Sequence, residues 1–181
     1  MNHEHGYSYP MGKQEITDYL KARLTPDALI LDVGPGEGTY RNYLGTSYTW
    51  EAVEIWHPTV EFLTGKYNTI YEQDIRSFNY TKDYDLIIFG DILEHLSISD
   101  AQEVLRTAQE HSRVIMVAVP YTLPQPPLHG NEAERHLQPD LTPALMTERY
   151  PSLELILMVG NPQKPLYGYY YWAYNPALGT A

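Results

Sequence analysis

The chain has no cysteine, only three phenylalanines and three tryptophans, and 12 basic residues against 23 acidic ones. The lack of thiols excludes disulfides, zinc–thiolate centres and thiol catalysis. Phosphate binding wants clustered Lys and Arg, so the shortage of both and a net charge of −11 disfavour nucleic acid as a partner. No apolar run approaches the roughly 18 residues of a membrane span. The opening Met1-Asn2-His3-Glu4-His5-Gly6 lacks the basic and apolar regions of a signal peptide. These absences set the expectation of a cytoplasmic protein without membrane attachment. What is plentiful is tyrosine, 17 residues, which leaves many aromatic positions with a polar tip. A length of 181 residues with 43% hydrophobic content suits one domain, 1–181, with a sizeable core.

After an irregular arm over 1–11, Ile16, Tyr19, Leu20 and Leu24 recur at helical spacing and predict a helix over 12–24. Residues 28–33 form a short apolar run that ends in glycines, as a buried parallel strand does, and 39–44 suit the start of a helix. The unit then repeats. Strands are expected over 48–55, 68–73, 84–89 and 114–119, with a helix over 58–66 opened by Pro58. Ser99 with Gln102 suggests a capping box for a helix that buries Ala101, Val104, Leu105 and Ala108. Strands that alternate with helices imply a parallel sheet with right-handed crossovers. Residues 120–143 read as a loop, and Thr142-Pro143 can open a helix to Arg149. The final strands, 152–159 and 167–174, are joined by too few residues for a crossover helix and are expected to be antiparallel. The aromatic run from Tyr167 to Tyr174 is read as core on one face and amphipathic surface on the other.

The strand–turn–helix around 29–44 carries the strongest chemical signal. Glycines admit a ligand close to the backbone, and the following helix offers unpaired N–H groups. A dinucleotide site would use G-x-G-x-x-G. Here Gly34, Gly36 and Gly38 give G-x-G-x-G, preceded by Asp32. That carboxylate would repel a pyrophosphate but could orient a cationic cofactor bearing an amino acid. Glu54, at the end of the second strand, stands where a carboxylate can accept hydrogen bonds from ribose hydroxyls. Trp56 could flank an adenine or be part of the core.

With these residues in order, the chain resembles class I S-adenosylmethionine-dependent methyltransferases of the type 11/23 kind over nearly its whole length. The fold this implies is α/β and Rossmann-like: a seven-stranded, mostly parallel sheet with an antiparallel final strand and helices on both faces. Leu31-Asp32-Val33-Gly34-Pro35-Gly36-Glu37-Gly38 resembles the first motif, which holds the methionine part of S-adenosylmethionine. The resemblance puts Glu54, Ile55 and Trp56 at the nucleoside, and Asp74 with Ile75 at the adenine. Tyr84-Asp85-Leu86-Ile87-Ile88-Phe89-Gly90-Asp91-Ile92-Leu93-Glu94-His95-Leu96 resembles the fourth motif of ubiquinone-biosynthesis-type O-methyltransferases, with Gly90, Asp91 and Ile92 facing the transferred methyl group.

The same loop is similar to that of small-RNA 2′-O-methyltransferases, which bind magnesium through two acids and two histidines. On that resemblance Asp91, Glu94, His95 and His136 are candidate magnesium ligands, and His95 and His136 candidate catalytic groups. His129, in the same loop, has less to recommend it. The alternative for His95 is a structural hydrogen bond. Loop 120–143 follows a strand that should end beside the cofactor, and is expected to shape the acceptor pocket as a lid or binding loop. The expected activity is methyl transfer from S-adenosylmethionine, leaving S-adenosylhomocysteine, to a small-molecule acceptor, with oxygen favoured. A cofactor-binding module without catalysis and an NAD(P)-dependent oxidoreductase are the competing readings.

Overall fold

The computed structural model describes residues 10–174. Most of the expected arm over 1–11 lies outside the described residues. Strands β1 (Leu29–Val33), β2 (Thr49–Glu54), β3 (Thr69–Glu72), β4 (Leu86–Gly90), β5 (Val114–Pro120), β6 (Glu154–Asn161) and β7 (Lys164–Ala173) form one sheet. Its order is β3-β2-β1-β4-β5-β7-β6. The first five strands are parallel, and β7 runs antiparallel between β5 and β6. Strands β1, β4 and β5 are apolar almost throughout because helices cover both faces.

On one face lie α1 (Lys13–Lys21) and α2 (Thr39–Leu44), whose Ile16, Leu20, Tyr40 and Leu44 pack on Ile30, Ile88 and Met116. Helix α3 (His57–Leu63) adds Leu63 to this cluster and carries Pro58 in its first turn. The other face is closed by α4 (Ile98–Glu110) and α5 (Pro143–Arg149). From these, Ala101, Val104, Leu105, Ala108 and Met146 meet Leu31, Ile87, Phe89 and Val117. Thr142 caps α5 by accepting from the Leu145 N–H at 3.2 Å.

Three expectations change. Helix α4 begins one residue before Ser99, and its cap is Ser97, whose hydroxyl accepts from the Asp100 N–H at 3.1 Å. The last two strands extend towards each other and turn through Pro162 and Gln163, because Asn161 Oδ1 accepts from the N–H groups of both Gln163 and Lys164. The tyrosine run has no amphipathic surface face. Strand β7 is internal, so Tyr167 and Tyr169 enter one core cluster while Tyr170 enters the other. There the Tyr121 and Tyr170 hydroxyls share a 2.6 Å hydrogen bond that satisfies both buried tips.

Candidate active site

The carboxyl ends of β1, β2, β4 and β5 finish at one edge of the sheet, since Val33 is in register with Val53 and Phe89, and Gly90 with Ala118. In an open α/β sheet this is where ligands bind. A cavity of about 670 Å³ lies there, lined by the glycine turn, the ends of β2 and β4, and loop 120–143.

The turn is shaped by backbone geometry that only glycine adopts freely. Gly34, Gly36 and Gly38 all have positive φ, of 59°, 53° and 80°. The Gly34 N–H donates to the Val53 carbonyl at 2.9 Å, which fixes where the turn leaves the sheet. A Cβ on Gly34 would lie 2.2 Å from Cδ1 of Ile92, so the first and fourth motif residues touch across the cavity floor. Pro35 also lines the cavity.

Asp32 is buried beneath this turn. Tyr67 donates its hydroxyl to Oδ2 at 2.8 Å, while Oδ1 has no partner. Burial pushes this carboxyl up to about 7, against the opposing pull of Tyr67 and Lys13. Glu54 lines the cavity from the end of β2, accepts the Trp56 N–H at 2.7 Å, and is likewise pushed up to about 7 by burial. Ile55 is exposed at the rim, and Trp56 is half-buried along the cavity. Asp74 and Ile75 follow β3 and also line it. The Asp74 carboxylate is already engaged, accepting from the Arg76 N–H and pairing with its guanidinium at 2.5 Å.

Beyond β4 the chain turns through Asp91, which has a φ of 61°, a conformation rare outside glycine and typical of strained functional positions. Tyr167 of β7 donates its hydroxyl to Asp91 Oδ1. Leu93–His95 then form a short 3₁₀ turn. This places Glu94, His95 and His136 together, with one donor atom from each within 4.8 Å of the others. Asp91, expected among the metal ligands, is not part of that group.

His136 Nδ1 is 2.6 Å from the Leu123 carbonyl oxygen and His95 Nδ1 is 3.3 Å from that of Arg135. A carbonyl only accepts, so each Nδ1 carries the proton and each Nε2 keeps its lone pair. The rings meet edge to face at 4.7 Å. Burial, then the neighbouring His136, holds His95 down to about 4, and burial lowers His136 as well. Both imidazoles are therefore neutral near pH 7. Glu94 is buried with both carboxyl oxygens unpartnered, and burial raises its pKa well above the ordinary value. His129 also lines the cavity but lies outside the cluster.

Loop 120–143 is tied down rather than loose. The N–H groups of Leu137 and Gln138 both donate to the Glu94 carbonyl, at 2.8 and 3.0 Å. The buried Gln138 side-chain amide donates to the carbonyls of Leu93 and Leu96. The polar residues that sequence reasoning missed are Lys13, Tyr40, Tyr67, Glu134 and Tyr167. Lys13, Tyr40 and Tyr167 reach the site from elements whose apolar pattern signals only packing, Tyr67 from the turn before β3, and Glu134 from loop 120–143. Tyr167 alone carried an accessible clue, because antiparallel pairing with β5 sets it opposite Pro120.

No family model and no curated protein matches the chain. Solved structures share its fold. An S-adenosylmethionine-dependent methyltransferase from Clostridium acetobutylicum aligns with a TM-score of 0.67 and 12% identity, over 88% of this chain and 89% of that one. An amino pentose methyltransferase from Micromonospora echinaspora, solved with S-adenosylmethionine bound, gives 0.64 and 12% over 93% of each chain. The 1,6-didemethyltoxoflavin N1-methyltransferase of Burkholderia thailandensis, with 1,6-didemethyltoxoflavin and S-adenosylhomocysteine bound, gives 0.64 and 15% over 89% of this chain and 77% of that one. The protein thus has the class I methyltransferase fold. Among the described residues no helix is long and apolar enough to cross a membrane.

Proposed function

We propose that the protein transfers a methyl group from S-adenosylmethionine to an oxygen of a small-molecule acceptor. The observation that carries this is one cavity lined by a left-handed glycine turn, a strand-end Glu54 and the Glu94–His95–His136 cluster, with an unpartnered Asp32 oxygen buried beneath the turn. Asp32 would accept from the cofactor's ammonium group and Glu54 from the ribose hydroxyls. Gly90, Asp91 and Ile92 would border the methyl group. The protein's main contribution would be to align nucleophile, methyl carbon and sulfur.

His95 or His136, each neutral, could take the acceptor's proton. The same cluster fits a divalent cation, because one nitrogen from each imidazole lies within 4.8 Å of the other and of a buried carboxyl that has no other partner. Two nitrogen donors suit manganese, cobalt or zinc better than the expected magnesium, which favours oxygen ligands. Such an ion would supply Lewis acidity to lower the pKa of a hydroxyl.

Titration calorimetry with S-adenosylhomocysteine tests the reading. Micromolar binding is expected, and no binding up to millimolar ligand would remove it. Ribose hydroxyls bond best to an ionised carboxylate, so binding should release protons. With Asp32 and Glu54 both near 7, affinity is expected to rise between pH 6 and pH 8. Glu54→Gln should lose a charge-assisted bond worth about 1.5–3 kcal/mol and flatten the pH dependence. In the ligand-free protein the sign reverses. These groups keep protons that the unfolded chain sheds near about pH 4, so their share of the stability is lost as pH rises through about 7.

A further inference from the structure

Lys13 is the first residue of α1, and its side chain is fully buried, at 0% exposure. Its ammonium sits 4.0 Å from the centre of the Tyr40 ring and has no hydrogen-bond partner. Tyr40 lines the cavity just after the glycine turn, and its ring packs so closely on Gly90 that a Cβ there would lie 2.2 Å from it. Lys13 also feels the charges of Asp91 and Asp32. The place is thus bounded by the ends of β1 and β4 and the start of α2. A buried, unpaired ammonium is costly in a ligand-free protein. Packing does not explain its retention, since a methionine would fill the same volume without that cost.

The two unpaired atoms are complementary. Asp32 Oδ1 is a buried acceptor and Lys13 Nζ a buried donor, and neither satisfies the other. A zwitterionic α-amino acid carries the matching pair, an ammonium for the first and a carboxylate for the second. Without Lys13, that carboxylate would face Asp32 and Asp91 with nothing to offset the repulsion.

We propose that Lys13 is a cofactor-binding residue that holds the amino-acid carboxylate of S-adenosylmethionine. The assignment rests on the cofactor reading above and adds a residue to it. Lys13 makes recognition of the amino-acid end separable from recognition of the nucleoside.

The test compares two ligands by calorimetry: S-adenosylhomocysteine, and 5′-methylthioadenosine, which shares the nucleoside and sulfur but lacks the amino acid. Wild type should bind S-adenosylhomocysteine much the more tightly. Lys13→Met should weaken S-adenosylhomocysteine at least about 30-fold, yet leave 5′-methylthioadenosine within about twofold, because a charge-assisted bond is removed from one ligand only. Lys13→Arg should recover part of the loss. Loss of an unpaired buried charge should leave the melting temperature unchanged or higher. Equal loss for both ligands would make Lys13 structural and overturn the proposal, as would no loss for either. Equal affinity of the wild type for the two ligands would overturn Lys13 alone, whereas binding of neither would overturn the cofactor reading with it.

Discussion

Gly34→Ala is expected to weaken S-adenosylhomocysteine binding at least about tenfold, which is about 1.4 kcal/mol, while leaving the sheet intact. Two costs combine. The left-handed conformation at φ 59° costs a Cβ-bearing residue about 1–2 kcal/mol. The new Cβ also falls 2.2 Å from Ile92 Cδ1. Being the flexible end of a side chain, Ile92 can swing away, but it and Gly34 both line the cavity, so the swing intrudes on ligand space. The double variant Gly34→Ala, Ile92→Ala should regain the steric share and keep the backbone share. Calorimetry on the three proteins separates the two, and wild-type affinity in the single variant would show that the turn does not cradle the cofactor.

Glu94→Leu is expected to stabilise the ligand-free protein and to abolish turnover. Glu94 is 1% exposed and neither carboxyl oxygen has a partner. Removing a buried unsatisfied polar group relieves about 1–3 kcal/mol. In a chain of this length that is about 2–4 °C of melting temperature per kcal/mol. A stabilising substitution that destroys activity is the signature of a group kept for function. Manganese should raise the melting temperature of the wild type, more at pH 8 than at pH 6 because Glu94 must shed its proton to ligate, and should leave Glu94→Leu unmoved. The cation reading fails if manganese, cobalt, zinc and magnesium at millimolar levels all leave the wild type unchanged. The catalytic reading fails if Glu94→Leu keeps its turnover.

The glycine turn was legible because geometry leaves no other residue type at ease there, and the apolar strands because burial on both faces leaves no room for polar ones. Glu54 was legible from its place at a strand end. The cap of α4 was misread because Ser97 and Ser99 both offer a hydroxyl within a turn, and only the path of the preceding 3₁₀ turn decides between them. The tyrosines of β7 were misread because a hairpin reads as a sheet edge, although here the second strand inserts between the first and β5. Asp91 lies in a motif that resembles a metal-binding loop, yet the side chain is claimed by Tyr167, 76 residues further on. Lys13 left no trace in the sequence, since a lysine opening an amphipathic helix ordinarily faces water.

The two amides that anchor loop 120–143 to the Glu94 carbonyl divide that loop unequally. Its second half is bonded to the histidine cluster, as are the carbonyls of Leu123 and Gln125, whereas the side chains of Leu128 and His129 are exposed at the mouth of the cavity. Selection for a new acceptor could therefore rewrite the tip from Pro126 to Gly130, including its length, while the bonds from Leu123 and Gln125 to His136 are kept. The tip of the loop is thereby left to vary while both of its flanks stay bonded to the cluster.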